Sequence, residues 1–259
     1  MCGVLGFNWK DESLARKLGE LIKHRGPDSE DYYSDEKVTL GHRRLSIIDL
    51  SERGKQPMSN EDGTVWITYN GEVFNFKELR SELVEKGHKF VSDTDTEVIV
   101  HGYEEYGVKI LDKLNGQFAF CIYDTKKKEL FLARDRIGIN PLYYYHDGER
   151  FVFGSELKVI MKSGVPKEID EFVLHYYLMF GYTPRKQSII KNAFKLEPGH
   201  YLRFDLTKNS ISAYRPYWNV RFRNRITNEQ EAVALIRNKL DEAVKNRLVG
   251  DVPVGAFLS

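Results

Sequence analysis

Residues 1–7 read MCGVLGF, an apolar stretch with a cysteine directly after the initiator methionine. Because charged residues follow it closely, the stretch predicts a buried strand over residues 2–9 rather than a signal peptide. A small residue at position 2 permits removal of Met1, which would leave Cys2 with a thiol and a free α-amine. Reference pKa values of about 8.5 and about 7.7–8.0 let the amine accept the thiol proton near neutral pH. Cys2 is therefore a candidate nucleophile with its own base, although position 2 could also simply tolerate cysteine.

Short apolar runs and a few helical patterns alternate along the rest of the chain. Strand-like runs occupy residues 38–50, 64–74, 117–123, 130–133, 142–145 and 151–153. One helical pattern lies at 14–22, a second covers 76–86 behind a capping box at Asn75 and Glu78, and a third begins at Asp95. Many strands with few intervening helices predict an α+β fold in which two packed sheets are covered by helices.

The character of the sequence changes after Leu206. A long helix is predicted from Thr227, since its apolar residues recur with a period near 3.6, and the apolar run 252–258 predicts a buried strand. One helix and one strand cannot enclose a core. We therefore expect residues 1–209 to form the first domain and residues 210–259 to be the beginning of a second domain that is cut off.

Composition and charge narrow the class of protein. The 259 residues include 39 Lys and Arg against 38 Asp and Glu, so no basic excess points to nucleic acid. No apolar run reaches the roughly 20 residues that a membrane helix needs. We expect a cytoplasmic protein that binds neither nucleic acid nor membrane. Thiols stay reduced in that compartment, so no disulfide is expected between Cys2 and Cys121, and Cys121 should be a core residue.

Further residues suit the chemistry of an activated thiol. Asn70 and Gly71 end a predicted strand, where an amide and a backbone N–H could form an oxyanion hole. An Asn-Gly hairpin turn is the commoner meaning of this dipeptide. Arg43 and Arg44 should face opposite sides of their strand, so one could point inward and bind a carboxylate while the other is solvated. Asp95 could bind an amino group or only cap its helix.

Six motifs occur in the order and approximate spacing of glutamine-dependent asparagine synthetases, and the chain resembles this family over essentially its whole length. They are MCGVLG at 1–6, RGPD at 25–28, RLSIID at 44–49, NGE at 70–72, SDTDTE at 92–97 and RDRIGINPL at 134–142. The run DVPVGAFLS at 251–259 resembles the approach to the family's pyrophosphate loop, of which only the first serine is present. The resemblance therefore covers a glutaminase domain and the opening of an ATP-dependent synthetase domain.

The resemblance implies a fold and a set of residue roles. The fold is the N-terminal-nucleophile hydrolase sandwich, with four layers in the order α/β/β/α, followed by the start of an α/β ATP-pyrophosphatase-type synthetase domain. Cys2 would attack the side-chain amide of glutamine, Asn70 and the Gly71 N–H would stabilise the oxyanion, and the products would be glutamate and ammonia. The residues implied to bind glutamine are Arg44 at the α-carboxylate, Asp95 and Glu72 at the α-ammonium, and Leu45, Ile47, Ile48, Asn70 and Gly71 along the pocket.

The resemblance also implies what the complete protein would bind. Glutamine hydrolysis is expected to need no metal and no cofactor. The complete synthetase would use MgATP, with Leu258 and Ser259 at the edge of the nucleotide site, and would pass ammonia to an adenylate of aspartate. A homodimer is one expected assembly.

Three alternatives stay open. Amidotransferases of hexosamine or purine synthesis also start with a Cys-Gly pair, but they typically lack RGPD, and the tail at residues 252–259 argues against them. An asparagine-synthetase-like enzyme could amidate a different carboxylate. The chain could also be an inactive docking module, for which retained Met1 would be the signature, because a blocked α-amine cannot act as the base.

Overall fold

The computed structural model describes residues 1–222 and 226–255. Within these residues the strands form two six-stranded sheets in which every pairing is antiparallel. The first sheet has the order β10 (Ala193–Lys195), β8 (Tyr143–His146), β9 (Phe151–Gly154), β1 (Gly3–Phe7), β3 (Thr39–Arg44) and β2 (Ser29–Ser34). The second sheet has the order β12 (Ser210–Pro216), β11 (His200–Asp205), β7 (Glu129–Arg134), β6 (Gly116–Asp124), β5 (Val65–Val73) and β4 (Met58–Ser59).

The helices lie outside the two sheets or follow them in the chain. They are α1 (Glu12–Leu21), α2 (Phe76–Glu85), α3 (Asp95–Tyr106), α4 (Ile110–Lys113), α5 (Leu157–Lys162), α6 (Glu171–Phe180) and α7 (Glu229–Asn246). Helix α1 begins where the Asp11 side chain accepts a hydrogen bond of 2.8 Å from the Leu14 N–H, which satisfies one of the amides left open at a helix start. Its buried residues, including Ala15 and Leu18, face the first sheet.

Three apolar clusters define four layers. The cluster between the sheets joins Val4 and Phe153 of the first sheet to Cys121 and Leu132 of the second. A second cluster packs α1 and α5 on the outer face of the first sheet, and a third packs α2 and α3 on the outer face of the second. This confirms the predicted α/β/β/α order. Strand β6 is a nearly continuous apolar run because both of its faces are covered. Cys121 lies in this strand and is buried in the core, as predicted.

The structure corrects two local predictions and excludes one alternative. Pairing in β3 ends at Arg44, so the strand predicted over 38–50 is shorter and residues 45–51 leave the sheet as a loop. Asn70 and Gly71 lie inside β5 opposite β6, so they do not form a hairpin turn. The capping box is also wrong: the Asn75 side chain makes no cap bond, because it donates to Lys113 O and accepts from the Asn115 N–H.

The C-terminal part differs from the prediction at several points. Strand β12 pairs with β11, so the second sheet extends to Pro216, past the boundary expected after residue 209. Helix α7 begins at Glu229 rather than Thr227, and it buries none of its residues. Residues 252–255 form no strand, so that part of the predicted strand is wrong, whereas Leu258 and Ser259 lie outside the described residues. No helix in the described ranges has the length and apolar character that crossing a membrane would require.

Candidate active site

A cavity of about 160 Å³ lies where the start of β1, the end of β3, the second half of β5 and the start of α3 meet. It brings together residues that are far apart in the chain. The residues expected at the substrate site all line it, namely Cys2, Arg44, Leu45, Ile47, Ile48, Asn70, Gly71, Glu72 and Asp95. The structure therefore gathers these side chains and backbone groups around one space. Leu258 and Ser259, expected at a nucleotide site, are not among the described residues.

The thiol of Cys2 is held at the wall of this cavity by the backbone of Leu45. The Leu45 N–H donates to Cys2 Sγ at 3.3 Å, and Sγ lies 3.6 Å from Leu45 O. Burial raises the pKa of the Cys2 thiol, although the hydrogen bond from the Leu45 backbone favours the thiolate. Since the thiolate is the reactive form, a thiol with a raised pKa needs a neighbouring base to react at neutral pH.

The α-amine next to the thiol belongs to Met1 in this structure, and Met1 itself lines the cavity. Burial lowers the pKa of this amine, so a larger fraction of it is unprotonated near neutral pH. Removal of Met1 would transfer the free amine to Cys2. The backbone of Cys2 is fixed from the other side, because Arg25 Nε donates to Cys2 O at 2.9 Å.

Asn70 contributes a buried amide to the cavity. Its side chain is 1% exposed, and neither Oδ1 nor Nδ2 has a hydrogen-bond partner. Buried polar groups are almost always paired in folded proteins, so each exception asks for an explanation such as an absent ligand. Asn140 fixes the adjacent backbone, since its Nδ2 donates to Asn70 O at 3.1 Å while its own Oδ1 is unpaired. The Asn70 amide is thus positioned and available to a ligand.

Gly71 is required by the close approach of β5 and β6. A Cβ at this position would lie 2.3 Å from Gln117 O and 2.8 Å from Phe118 Cα, both of which are backbone atoms that cannot rotate away. Glycine therefore keeps the two strands in register beside Asn70.

Arg44 is buried, and its guanidinium holds the loop that follows β3. It donates to Ser51 O at 2.8 Å, to Ile48 O at 3.3 Å and to Asp49 O. Arg44 therefore points inward, as one of the two arginines was expected to do. Several of its N–H groups, however, already donate to backbone carbonyls. The remaining N–H groups of the guanidinium are left for a ligand. Gly54 leaves room for this side chain, because a Cβ there would lie 2.0 Å from a guanidinium nitrogen.

Asp95 and Glu72 place two carboxyl groups at the cavity. Asp95 is the first residue of α3, and its Oδ2 accepts hydrogen bonds from the Tyr69 hydroxyl at 2.6 Å and the Val73 N–H at 2.8 Å. Thr94, rather than Asp95, is the N-cap residue, so capping does not account for the position of Asp95. Burial raises the pKa of Asp95. Burial and the nearby Asp95 charge raise the pKa of Glu72 to about 7.

Two findings differ from what the sequence indicates. Arg43 is not solvated: it is buried, and it forms ion pairs with Glu20 and Glu30 on the side of β3 that faces α1 and β2. Asn140 lines the cavity although no reasoning from the residues singled it out. Its place within the motif at 134–142 was the available signal.

The fold and the cavity define the class of protein. Residues 1–218 match the glutamine amidotransferase domain, and the chain therefore belongs to the glutamine amidotransferase family. The glutamine phosphoribosylpyrophosphate amidotransferase from B. subtilis aligns with 85% of this chain and 50% of its own, with a TM-score of 0.61 and 20% sequence identity. At that identity the likeness establishes the common fold.

The names of similar proteins indicate a smaller group within this class. Asparagine synthetase [glutamine-hydrolyzing] 1 of Bacillus subtilis is 39% identical over 100% of this chain and 42% of that protein. Amidase chry2 of Gibberella zeae is 34% identical over 96% of this chain and 37% of that protein. The chain thus spans less than half the length of these two relatives. The resemblance to asparagine synthetases that the six motifs indicate is confirmed.

Proposed function

We propose that this chain hydrolyses the side-chain amide of glutamine to glutamate and ammonia, with Cys2 as the nucleophile. The observation that carries the proposal is the buried and unpaired Asn70 amide in the same cavity as the Cys2 thiol. The cavity also holds the Arg44 guanidinium and the carboxyl groups of Glu72 and Asp95. Opposite charges of this kind complement the zwitterion of an α-amino acid and leave its neutral side-chain amide for the thiol.

The proposed reaction starts from the chain without Met1. Cys2 Sγ attacks the amide carbon, the α-amine of Cys2 takes the thiol proton, and Asn70 with the Gly71 N–H stabilises the oxyanion. The C–N bond then breaks, and the proton passes from the amine to the departing ammonia. Water hydrolyses the resulting thioester with the same amine as base, which releases glutamate and restores the thiol. No cofactor takes part in the reaction as proposed.

For the complete protein we propose ammonia transfer to aspartate with MgATP, in the cytoplasm, where the thiol stays reduced. The asparagine synthetase named among the relatives supports this, together with the share of its length that the chain spans. Apolar side chains of α7 support a second domain that would cover them, since Ile236 and Leu240 are both 60% exposed. The second domain would then begin after β12. A homodimer remains part of the proposal.

A second candidate keeps the same glutamine chemistry and changes the acceptor of ammonia. The similarity to amidase chry2 favours it, because that relative is 34% identical over 96% of this chain and is not named an asparagine synthetase. The acceptor itself would bind outside the glutamine cavity. An inactive docking module, the third possibility, would retain Met1 in protein purified from its own cells.

The test is a glutaminase assay on protein whose N-terminus has been determined by intact-mass measurement. Chain lacking Met1 should convert glutamine to glutamate and free ammonia. Cys2→Ala should abolish this activity, whereas Cys121→Ala, the matched control in the core, should retain it at a somewhat lower melting temperature. Full activity in protein that uniformly retains Met1 would refute the self-base mechanism. With aspartate and MgATP present, this chain should still make no asparagine.

A further inference from the structure

Two histidines and a glutamate from three separate segments meet beside α3, and none of them lines the glutamine cavity. Glu61 comes from the turn between β4 and β5, His88 from the loop after α2, and His101 from α3 itself. One ligand atom from each, a carboxylate oxygen or an imidazole nitrogen, can be chosen so that all lie within 4.8 Å of one another. Glu61 Oε2 is 3.9 Å from His101 Nδ1.

Glu104 extends this cluster on the same helix as His101. Its Oε2 lies 3.0 Å from His101 Nδ1 and 4.0 Å from His88 Nδ1, so it stands between the two imidazoles. Its other oxygen is held by Asn60 Nδ2 at 2.7 Å. The Nδ1 atoms of both histidines are thus turned toward carboxylate oxygens at one place.

The other nitrogen of each histidine faces a second carboxylate. His101 Nε2 is 3.6 Å from Glu97 Oε1, and His88 Nε2 is 3.7 Å from Glu105 Oε2. Glu97 is itself fixed, since the N–H groups of Val91 and Ser92 each donate to it at 2.8 Å. Histidines that bind a metal typically hydrogen-bond their second ring nitrogen to a carboxylate, and these two pairs lie slightly beyond hydrogen-bond distance.

We propose that Glu61, His88 and His101 bind a divalent cation of the zinc type, with Glu104 or water as the fourth ligand. Two imidazoles and carboxylates suit zinc and its neighbours better than magnesium or calcium, which prefer oxygen ligands alone. Zinc bonds of about 2.0–2.1 Å put tetrahedral ligand atoms about 3.3 Å apart, so shifts of less than about 1 Å would bring these ligand atoms to a zinc ion.

One proposed ligand is buried and another is partly exposed, which suits a metal site. His101 is 1% exposed and its Nε2 is buried without a hydrogen bond, while the Glu61 side chain is 45% exposed. The buried side therefore supplies a fixed ligand, and the exposed side leaves a path for the ion. A bound cation would tie the turn before β5, the loop after α2 and helix α3 together.

A metal-free explanation competes with this proposal. Burial disfavours a charged His101, but the hydrogen bond to Glu104 and the nearby carboxylates outweigh it and raise the pKa of His101 to about 9. In that case the cluster is an ion-pair network around an imidazolium, and no metal is needed. The two explanations predict different results when zinc is added.

The experiment measures zinc binding on the Cys2→Ala chain without an affinity tag, because Cys2 and its amine could bind zinc themselves. Competition with a chromophoric chelator should give one zinc per chain. His88→Gln and Glu61→Gln should each weaken binding by at least about 10-fold, since even the loss of a residue that only hydrogen-bonds a ligand costs about 10–100-fold. His24→Gln is the matched control, because His24 lies in an exposed histidine–carboxylate pair with Glu156, 2.7 Å apart, far from the cluster in sequence.

Thermal unfolding gives an independent readout and shows that the variants are folded. Zinc should raise the melting temperature of the Cys2→Ala chain, both alone and with His24→Gln added. It should leave the melting temperature of the Cys2→Ala chain that also carries His88→Gln nearly unchanged. Failure of the Cys2→Ala chain to bind zinc would overturn the proposal in favour of the ion-pair network. Binding that survives both His88→Gln and Glu61→Gln would overturn the proposed ligands. Neither result bears on glutamine hydrolysis.

Discussion

Asn70 is the residue whose environment gives the strongest support to the proposed chemistry. A buried amide with no hydrogen bond destabilises the folded protein, because it has lost its bonds to water without replacement. The backbone of Asn70 lies in the regular ladder between β5 and β6, so the strand does not depend on its side chain. The side chain is therefore better explained by a ligand that supplies the missing partner than by the fold.

The first prediction compares Asn70→Ala with Arg44→Ala. Asn70→Ala should lower kcat by about 10²–10³-fold, since the amide matters most when charge develops on the oxyanion. Its melting temperature should hardly change, because no hydrogen bond of that side chain is lost. Arg44→Ala should mainly raise KM. It should also lower the melting temperature, because Arg44 holds the carbonyls of Ile48 and Ser51.

Steady-state kinetics and thermal melts on these two variants check the prediction. A well-folded Asn70→Ala chain with normal kcat would exclude the oxyanion role of this residue.

The second prediction concerns Glu72, whose pKa is raised to about 7 by burial and by the Asp95 charge. If Glu72 binds the substrate ammonium, only its ionised form does so. Glutamine binding should therefore weaken as the pH falls through about 7, and strengthen to a plateau above it. Calorimetric titration of the Cys2→Ala chain from about pH 8 to about pH 6 measures this without turnover.

The control for this prediction is Glu72→Gln in the same Cys2→Ala background. It should bind glutamine more weakly at high pH and should lose most of the pH dependence. An unchanged pH profile in that variant would assign the titration to another group, such as the α-amine.

Among the elements, the loop of residues 45–51 joins the nucleophile to distant parts of the chain. Leu45 holds the Cys2 thiol, and Arg44 holds the carbonyls of Ile48 and Asp49. Asp251 contacts the same loop from beyond α7: its carboxylate accepts from the Asp49 N–H at 2.7 Å, and its N–H donates to Ile47 O at 2.8 Å. The shape of the pocket wall therefore depends on residues that come after the second sheet in the chain.

The third prediction tests this dependence with Asp251→Ala. Loss of the carboxylate should loosen the pocket wall formed by Ile47 and Ile48, raise KM for glutamine several-fold and leave kcat nearly unchanged, since no oxyanion contact is touched. Asp241→Ala, on the exposed surface of α7, is the matched control and should behave as the unmodified chain. Glutaminase kinetics on both variants test this prediction. Equal KM values for Asp251→Ala and Asp241→Ala would show that the loop holds its shape without Asp251.

For the molecule as a whole, the four-layer sandwich is complete before α7. The last sheet strand ends at Pro216, and the family match ends at residue 218. Helix α7 adds no buried residues to the sandwich, although the Arg247 guanidinium lies 4.6 Å from the centre of the Phe74 ring. The stability of the sandwich should thus depend little on the residues after 218.

The fourth prediction is that a chain ending at residue 218 unfolds in one cooperative transition. Its melting temperature should stay within a few °C of that of the 259-residue chain, since a loss of about 1 kcal/mol shifts a domain of this size by roughly 2–4 °C. Its KM for glutamine should rise as in Asp251→Ala, because the same loop contacts are missing. Calorimetry would contradict the prediction if the shorter chain showed no cooperative transition.

The layered α+β fold and many of the residues that line the cavity could be predicted from the amino-acid sequence. Alternating apolar runs predicted the strands because burial imposes a local period, and the ordered motifs indicated Cys2, Arg44, Asn70 and Asp95 together. Periodicity gave a wrong strand end where a side chain binds the backbone of the segment that follows it. The strand predicted over 38–50 ends at Arg44, because its guanidinium binds the carbonyls of the following loop.

Which side chains meet depends on the tertiary structure. Arg43 is paired with Glu20 and Glu30, and Asn140 reaches the backbone of Asn70, although these partners are between 13 and 70 positions away. Likewise, Glu61, His88 and His101 form a cluster only because a turn, a loop and a helix pack together. Periodicity reports which face of an element is buried, whereas contacts between elements depend on how the layers stack, which no local pattern records.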